Sequence, residues 1–410
     1  MTTCNPVPTR PQAAFPTRRG SLQDARFPAT PSSPNEIFPF GSPVRQFAIN
    51  GVLALTFLFL SLLFIEIGLR VFSPVGPRSG DLVPKALRQQ LTPRTAVINP
   101  NYSGMLIGRD FRIPYRVNTL GFREKELDFP QLSARHPYLF IGDSYFNGWG
   151  VDIDARMSER VSDKLHHRSL QIPVINLSLP GYGTYQYLDI LKTYATTLKP
   201  RLAIIGFFVG NDFIDDLHAL RSEQESHSER THSAGSRFIE IKGLLRYLLR
   251  NSEVANLAKY ALWGVPSFRH IFDKLELKND RLVLYERGES SSQAELYNST
   301  FTAFDQVKTF SQTFHVPILV VIIPDHIQVL RRDLFSEYDI NKPQRLLKAH
   351  LDKLGIGYID LLEYFLDARN AQELFFREDK HWSTAGHEFV AEILYQKIVM
   401  SGAPVNFPAK

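Results

Sequence analysis

The sequence contains a single cysteine, Cys4, among its 410 residues. One thiol cannot form a disulfide within the chain, so the fold has to be stabilised by its hydrophobic core. A chain of this length is long enough to bury such a core, because the buried fraction of the surface rises with size. We therefore expect one main domain with additional segments.

Motifs that would assign several common chemistries are also absent. The chain has no Gly-x-Ser-x-Gly elbow, no Walker A loop, no Gly-x-Gly-x-x-Gly after a strand and no His-Glu-x-x-His. These absences argue against an α/β-hydrolase elbow, a nucleotide cofactor and a zinc protease, and we predict neither a cofactor nor a metal. His381 and His387 lie close in sequence, but His387 falls at the start of a predicted helix, where a surface or core position is the simpler interpretation.

Positive charge is concentrated in an N-terminal tail. Residues 1–46 hold nine of the 26 prolines and five arginines against two acidic residues, so three of the five net positive charges lie there. Such a composition offers little apolar surface to bury, and we predict a disordered tail over residues 1–46. The rest of the chain is close to neutral, which argues against a nucleic-acid partner.

One long run, from Phe47 to Ile65, carries no charge. With its flanks it supplies the roughly 20 apolar residues that a helix needs to cross a membrane. We predict an uncleaved transmembrane helix over residues 47–69, followed by a proline-rich stalk over residues 70–107. The flanking charges are divided, because the tail arginines favour a cytoplasmic N-terminus whereas the charges nearest the helix favour the opposite orientation.

Strand-like and helix-like segments alternate from Tyr138 onward. This alternation is typical of a parallel sheet covered by helices on both faces. We predict the α/β class, a three-layer α/β/α sandwich with a flavodoxin-like sheet whose strands are 138–141, 174–176, 202–208, 317–323 and 358–359. The alternation breaks over residues 213–296, which we interpret as a lid-like insertion, with a helical decoration packed on the sheet as the alternative.

Four short blocks occur at predicted strand ends or just before the last helix: Gly142-Asp143-Ser144, Asn176 to Thr184, Gly210-Asn211-Asp212 and Asp379-Lys380-His381. Open α/β sheets place their ligands beyond the carboxyl ends of the strands, which is where Ser144 lies. In order and context these blocks resemble the SGNH (GDSL) hydrolase superfamily, in particular its membrane-anchored esterases. The resemblance extends from about Asn118 to the C-terminus and implies an SGNH hydrolase domain over residues 108–403.

A serine hydroxyl is a poor nucleophile unless a base removes its proton, and we predict that His381 is the base for Ser144. Asp379 would hold the other ring nitrogen, since residues two apart in an extended segment point to the same side. Much of the superfamily places its acid three residues before the histidine. Glu378 occupies that position and is the alternative acid.

Ester cleavage also requires hydrogen-bond donors for the carbonyl oxygen. The predicted oxyanion hole consists of the Ser144 N–H, a glycine N–H and the side-chain amide of Asn211. The resemblance selects Gly181 as that glycine, with Gly183 left open. We expect Asp143 and Asp212 to be structural acceptors, while Arg123, in the segment ahead of the serine block, is a minor candidate for binding an anionic group.

These residues together predict a serine esterase that hydrolyses an O-acyl ester, such as an O-acetyl ester, through an acyl-enzyme. The alternatives are an acyltransferase acting on cell-surface glycans and a non-catalytic scaffold that keeps the fold. The expected partners are an acylated small molecule, lipid or glycan, and a membrane contacted through residues 47–69. Anchored members of the superfamily usually face outward, which implies a single-pass membrane protein with an extracytoplasmic domain, periplasmic or at the cell surface.

Overall fold

The computed structural model describes residues 43–72, 88–108, 110–228, 252, 254, 281–331, 336 and 338–400. The predicted disordered tail lies outside these residues except for positions 43–46. Those four residues form the start of helix α1 (Pro43–Phe72).

Helix α1 contains a span, Arg45–Leu69, with a mean hydropathy of 2.5 and exposed apolar side chains. The helix has 30 residues and is therefore about 45 Å long at 1.5 Å per residue, more than the roughly 30 Å of a hydrocarbon core. In the part of the chain that the structure describes, it is the one helix long and apolar enough to cross a membrane.

Residues 88–107 belong to folded structure rather than to a stalk. They form a first hairpin and the first strand of a second one, with Val97, Ile98 and Leu106 buried. The four strands pair antiparallel as β1 (Arg88–Gln90) with β2 (Ala96–Ile98) and β3 (Ser103–Ile107) with β4 (Arg112–Arg116). The predicted stalk is wrong over residues 88–107 because its apolar side chains pack into the domain, and residues 73–87 lie outside the described residues.

The main sheet has five parallel strands, as predicted. Its order is β6-β5-β7-β8-β9, which is the flavodoxin-like order with its switch point between β5 and β7. The predicted fold class is confirmed. The strands are β5 (Tyr138–Gly142), β6 (Val174–Asn176), β7 (Leu202–Phe208), β8 (Ile318–Ile323) and β9 (Gly357–Asp360).

Helices cover both faces of this sheet. Leu139 and Ile141 pack toward one core and Tyr138 and Phe140 toward the other, because successive side chains of a strand point to opposite faces. Among the described residues the α-helices after α1 are α2 (Phe129–Arg135), α3 (Ser144–Asn147), α4 (Met157–His167), α5 (Thr184–Ile190), α6 (Thr196–Leu198), α7 (Asp212–Ser228), α8 (Ser291–Phe314), α9 (His326–Leu330), α10 (Lys342–Leu354), α11 (Leu362–Asp367) and α12 (Thr384–Tyr395). Helices α5, α7, α8 and α10 line the first core, and α4, α11 and α12 line the second.

Both ends of the predicted lid-like insertion, residues 213–296, are helices of a covering layer. Helix α7 buries Phe213 and Leu217, helix α8 buries Leu296, and the two helices pack against each other. These ends are therefore closer to the alternative of a helical decoration than to a lid. Residues 229–280, apart from 252 and 254, lie outside the described residues, and the lid interpretation of that part stays a prediction.

Candidate active site

The switch point of the sheet carries both Ser144 and Asn211. Helix α3 begins at Ser144 directly after β5, and its N-cap Asp143 accepts a hydrogen bond from the Tyr145 N–H at 2.9 Å. The helix ends after one turn at Gly148, whose φ of +77° lies in the left-handed region that favours glycine. Because β7 ends beside β5, Asn211 is brought to the same edge of the sheet.

Ser144, His381 and Asp379 form a continuous chain of hydrogen bonds. The Ser144 Oγ lies 2.7 Å from His381 Nε2, and His381 Nδ1 lies 2.5 Å from Asp379 Oδ1. The Asp379 carboxylate accepts a hydrogen bond from the Nδ1–H of His381, which keeps the ring proton on Nδ1 and leaves Nε2 unprotonated, ready to accept the serine proton. The structure thus brings together the three side chains that the sequence selected.

Asp379 and His381 meet through a turn rather than through an extended segment. Lys380 between them has a φ of +72°, a left-handed conformation that a non-glycine residue adopts at an energetic cost. The expectation of an extended Asp379–His381 segment is therefore wrong, although the pairing that it predicted is present. The turn directs both side chains to one place, where Asp379 Oδ1 also lies 3.4 Å from the His381 N–H.

The alternative acid, Glu378, does not face His381. Its side chain is 41% exposed and lies 3.7 Å from the Arg377 guanidinium, whereas that of Asp379 is 3% exposed. Burial raises the pKa of the Asp379 carboxyl, but the hydrogen bond and charge of His381 outweigh burial and lower the pKa below its usual value. Asp379 therefore carries the negative charge that an imidazolium beside it requires.

The two candidate glycines of the oxyanion hole differ in what their amides do. The Gly183 N–H donates to Gln186 Oε1 at 3.2 Å, and an added Cβ there would lie 2.6 Å from Asp216 Oδ1. The Gly181 N–H, like that of Ser144, has no acceptor among the described residues. Gly181 also has a left-handed φ of +77°, and a Cβ added to it would have no atom within 4 Å, so it borders open space.

The Asn211 amide is oriented by a neighbour. Its Nδ2 donates to Asp215 Oδ2 at 2.8 Å, which uses one of the two amide hydrogens and leaves the second for a ligand. Asp215 is one helical turn further along the chain, and burial raises the pKa of its carboxyl to about 6. Because a carboxyl oxygen of Asp215 accepts this hydrogen bond, the nitrogen of the Asn211 amide, rather than its oxygen, faces Asp215.

Asp143 and Asp212 are buried acids behind the site, as expected for structural acceptors. Asp212 Oδ2 accepts from the Phe208 N–H at 3.0 Å and from the Tyr187 hydroxyl at 3.1 Å. Burial raises the pKa of Asp143 to about 7, and burial together with the Asp143 charge raises that of Asp212 well above its usual value. Near neutral pH these carboxyls therefore add less negative charge behind the site than fully ionised acids would.

Asp216, in helix α7, is a buried acid whose raised pKa should change the stability of the fold with pH. Its oxygens accept from the Tyr185 N–H at 3.2 Å and the Thr300 hydroxyl at 2.8 Å, and burial raises the pKa of the carboxyl to about 7. The native state therefore keeps a proton that the unfolded chain releases above about pH 4. The stability that this proton contributes is fully present below about pH 4 and is lost as the pH rises through the native pKa of about 7.

We expect Asp216→Asn to flatten the pH dependence of stability. Between about pH 4 and pH 7 the free energy of unfolding of the native sequence should fall more steeply than that of the variant, by up to about 1.4 kcal/mol per pH unit. Urea unfolding of the detergent-solubilised chain at several pH values measures the two slopes. Asp163→Asn, on the exposed side of α4, is the matched control, and parallel curves for Asp216→Asn and the native sequence would contradict the prediction.

Arg123 and His387, two further residues considered from the sequence, are buried and hydrogen-bonded within the fold. Arg123 is buried and donates to the carbonyl oxygens of Gly148 at 2.6 Å and Val151 at 2.7 Å, so the suggestion that it binds an anionic group is wrong. His387 is buried, which lowers its pKa to about 3, and its Nδ1 accepts from the Met157 N–H at 3.3 Å. Within the described ranges no cluster of His, Cys, Asp or Glu is arranged to hold a metal ion.

Sequence reasoning missed two residues that contact the acid–histidine turn. Tyr145 packs its ring 4.8 Å from the His381 ring, centroid to centroid, and donates its hydroxyl to the Lys380 carbonyl at 3.2 Å. Asp110 accepts hydrogen bonds from the Glu378 and Asp379 N–H groups. Tyr145 follows Ser144 directly and could have been found there, whereas nothing in the sequence connects Asp110 with a turn 269 residues away.

The flavodoxin-like sheet with a serine beyond β5 and an Asp-x-His turn before helix α12 is that of an SGNH hydrolase-like domain. In agreement, residues 284–406 match the sequence model of a family described as the SGNH hydrolase-like domain of the acetyltransferase AlgX. This match supports the SGNH hydrolase superfamily that the sequence predicts, over a segment of less than half of the chain. The matched segment includes β8, β9 and the Asp379–His381 turn but not Ser144.

Solved structures with a similar chain trace include several esterases. An acetyl xylan esterase, AlAXEase, is 14% identical, with 64% of this chain and 100% of that chain covered and a TM-score of 0.38. TesA is 13% identical, with 64% and 98% covered and a TM-score of 0.37. A mutant of an acetyl-xylooligosaccharide esterase from Geobacillus Stearmophilus is 12% identical, with 65% and 96% covered and a TM-score of 0.37. No curated protein matches the sequence.

Proposed function

We propose that the protein is a membrane-anchored serine esterase that cleaves an O-acyl ester, with an O-acetyl ester as the first candidate. The observation that carries this proposal is the chain of contacts from Ser144 Oγ to His381 Nε2 at 2.7 Å and from His381 Nδ1 to Asp379 at 2.5 Å. A hydroxyl, an imidazole and a buried carboxylate in this order are what nucleophilic acyl transfer requires.

In the first half of the reaction the Ser144 oxygen attacks the acyl carbon while its proton moves to His381 Nε2. The Asp379 carboxylate stabilises the imidazolium that forms and keeps the ring in the correct orientation. When the tetrahedral intermediate collapses, the bond to the alcohol oxygen breaks and His381 donates its proton to that oxygen. The acyl group is then bound covalently to Ser144 and the alcohol leaves.

In the second half an incoming hydroxyl repeats these steps in reverse. Water loses its proton to His381, its oxygen attacks the acyl-enzyme, and the proton returns to Ser144 as the carboxylic acid is released. The N–H groups of Ser144 and Gly181 and the second hydrogen of the Asn211 amide are the proposed donors to the oxyanion. Removing one such donor typically costs about 2.7–4 kcal/mol of transition-state stabilisation.

A second candidate function is transfer of the acyl group to a cell-surface glycan. The observation that favours it is the match of residues 284–406 to a family described as an acetyltransferase. The same catalytic groups serve both reactions, because a sugar hydroxyl takes the place of water in the second half. A scaffold without catalysis is the third candidate. The hydrogen-bond distance of 2.7 Å between Ser144 Oγ and His381 Nε2 argues against it.

Helix α1 is proposed to be a single-pass anchor that places the domain outside the cytoplasm, in the periplasm or at the cell surface. Its length and exposed apolar side chains support the anchor. The five tail arginines support a cytoplasmic N-terminus and hence this orientation, although the charges next to the helix do not. A protease added to spheroplasts, from which the outer envelope has been removed, should digest the domain and leave the tail protected; the reverse pattern contradicts the orientation.

Product analysis separates the candidate functions. With p-nitrophenyl acetate we expect acetate and p-nitrophenol in equal amounts, unchanged when an oligosaccharide is added, because water is the proposed acceptor. Mass spectrometry of the oligosaccharide measures any transfer, and an acetylated product at the expense of free acetate would establish the transferase instead. If the folded protein neither releases p-nitrophenol nor reacts with a fluorophosphonate probe, the non-catalytic scaffold is the candidate that remains.

A further inference from the structure

The acid–histidine turn is held at its base by its own backbone. The Phe376 N–H donates to the His381 carbonyl at 2.8 Å, and Phe375 forms an isolated antiparallel bridge with Trp382. Between these points Lys380 has its left-handed conformation. Because that conformation is unfavourable for a lysine, the surroundings have to hold the tip of the turn in place.

The tip is held by a carboxylate from a distant part of the chain. The N–H groups of Glu378 and Asp379 both donate to Asp110 Oδ2, at 2.9 and 2.8 Å. Two consecutive amides on one anionic oxygen form charge-assisted hydrogen bonds, which are stronger than neutral ones. The second of these amides belongs to the residue whose side chain contacts His381.

The position of Asp110 is fixed by the hairpin that carries it. Asp110 lies in the connection between β3 and β4, which is closed by a hydrogen bond from the Gly108 N–H to the Phe111 carbonyl at 2.9 Å. The Phe111 ring packs 5.3 Å from the Phe376 ring, centroid to centroid, at the base of the turn. Phe111 also belongs to a buried cluster that contains Trp149, five residues after Ser144. The hairpin therefore contacts both the serine segment and the histidine segment.

We propose that Asp110 is a positioning residue for the reaction, which holds the Asp379–His381 turn in register with Ser144. The inference rests on the proposed function of these three side chains. Without the carboxylate, two amides lose their acceptor and the turn can relax from its left-handed conformation. His381 Nε2 would then move away from Ser144 Oγ, and a displacement of about 1 Å between reacting groups can reduce the rate by about 100-fold.

Kinetics of the full-length chain in detergent test the consequence of losing this carboxylate. Asp110→Ala should lower kcat for p-nitrophenyl acetate by about 10- to 100-fold with KM changed less than about twofold, because Asp110 acts through the turn and not on the ester. Asp110→Asn should recover kcat to within about threefold of the native value, since its amide oxygen can accept both N–H groups. Asp163→Ala, on the exposed side of α4, is the control.

Hydrogen exchange measured by mass spectrometry tests the positioning without any reaction. Asp110→Ala should increase exchange in the peptide covering residues 376–382, whereas Asp110→Asn and Asp163→Ala should leave it close to the native rate. Native kcat together with native protection in Asp110→Ala would overturn the proposal. So would an equal loss of kcat in Asp110→Asn and Asp110→Ala, because that pattern indicates a defect that restoring the acceptor does not repair.

The exchange measurement also separates this inference from the proposed function. If the native chain neither hydrolyses esters nor reacts with a fluorophosphonate probe, the proposed function fails. Increased exchange in Asp110→Ala would then still support a hairpin that holds the turn, and unchanged exchange would overturn that as well.

Discussion

Replacing Ser144 with alanine is expected to reduce kcat for p-nitrophenyl acetate by about 10⁴- to 10⁶-fold. The change removes the oxygen that would attack the acyl carbon, and its contact with His381 Nε2 at 2.7 Å, while the backbone N–H proposed for the oxyanion hole remains. The initial rate of p-nitrophenol release measures the loss. Reaction with a fluorophosphonate probe should disappear in parallel, since the probe bonds covalently to an activated serine oxygen.

Ser103→Ala is the matched control for this prediction. Ser103 lies on the exposed side of β3, so the same chemical change there should leave both rate and labelling close to native. Circular dichroism of both variants checks that each is folded. A folded Ser144→Ala variant that retains native turnover would refute the assignment of Ser144 as the nucleophile.

Asp379→Asn is expected to reduce kcat by about 10⁴-fold with an intact fold. The amide nitrogen introduced by this substitution would donate to His381 Nδ1 and place the ring proton on Nε2, which could then no longer accept the proton of Ser144. The substitution also removes the negative charge that stabilises the imidazolium. Burst and steady-state kinetics measure kcat, and the midpoint of thermal unfolding verifies the fold.

Glu378→Gln decides between the two acids that the sequence left open. Its side chain is partly exposed and directed toward Arg377, so the change should alter kcat by less than about threefold. If Glu378→Gln removed activity while Asp379→Asn retained it, the acid of the proposed triad would have to be reassigned to Glu378.

The strands and the layer order could be predicted from sequence because they depend on local patterns. Runs such as Leu202–Phe208 are apolar throughout, which is typical of a strand buried on both faces, and their alternation with amphipathic helices restricts the topology. The hairpins over residues 88–116 were harder to predict, because their strands are short and arginines and a proline alternate with the buried side chains. Composition over residues 88–107 therefore indicated a stalk where the structure has a folded unit.

The candidate site could likewise be predicted only in part from sequence. Ser144, His381 and Asp379 were found because each occurs in a short block whose residue types suit one reaction, independent of distance. The choice between Gly181 and Gly183 required knowing which amide another group already uses, and Gly183 donates to Gln186. Asp379 contacts His381 because the backbone at Lys380 has a left-handed φ. That conformation could not be predicted from the residue type, since lysine rarely adopts it.

The resemblance to SGNH hydrolases, the parallel sheet, the apolar helix and the three side chains proposed for catalysis could all be predicted from sequence, since periodicity and short motifs are properties of neighbouring residues. The folded structure was needed to find that Asp110 accepts from the Asp379 N–H, that Asp215 accepts from the Asn211 amide and that Arg123 donates to buried backbone carbonyls. These contacts depend on where packed elements meet in space. Hydrogen bonds between residues as far apart as Asp110 and Asp379 form only after the core has brought their segments together.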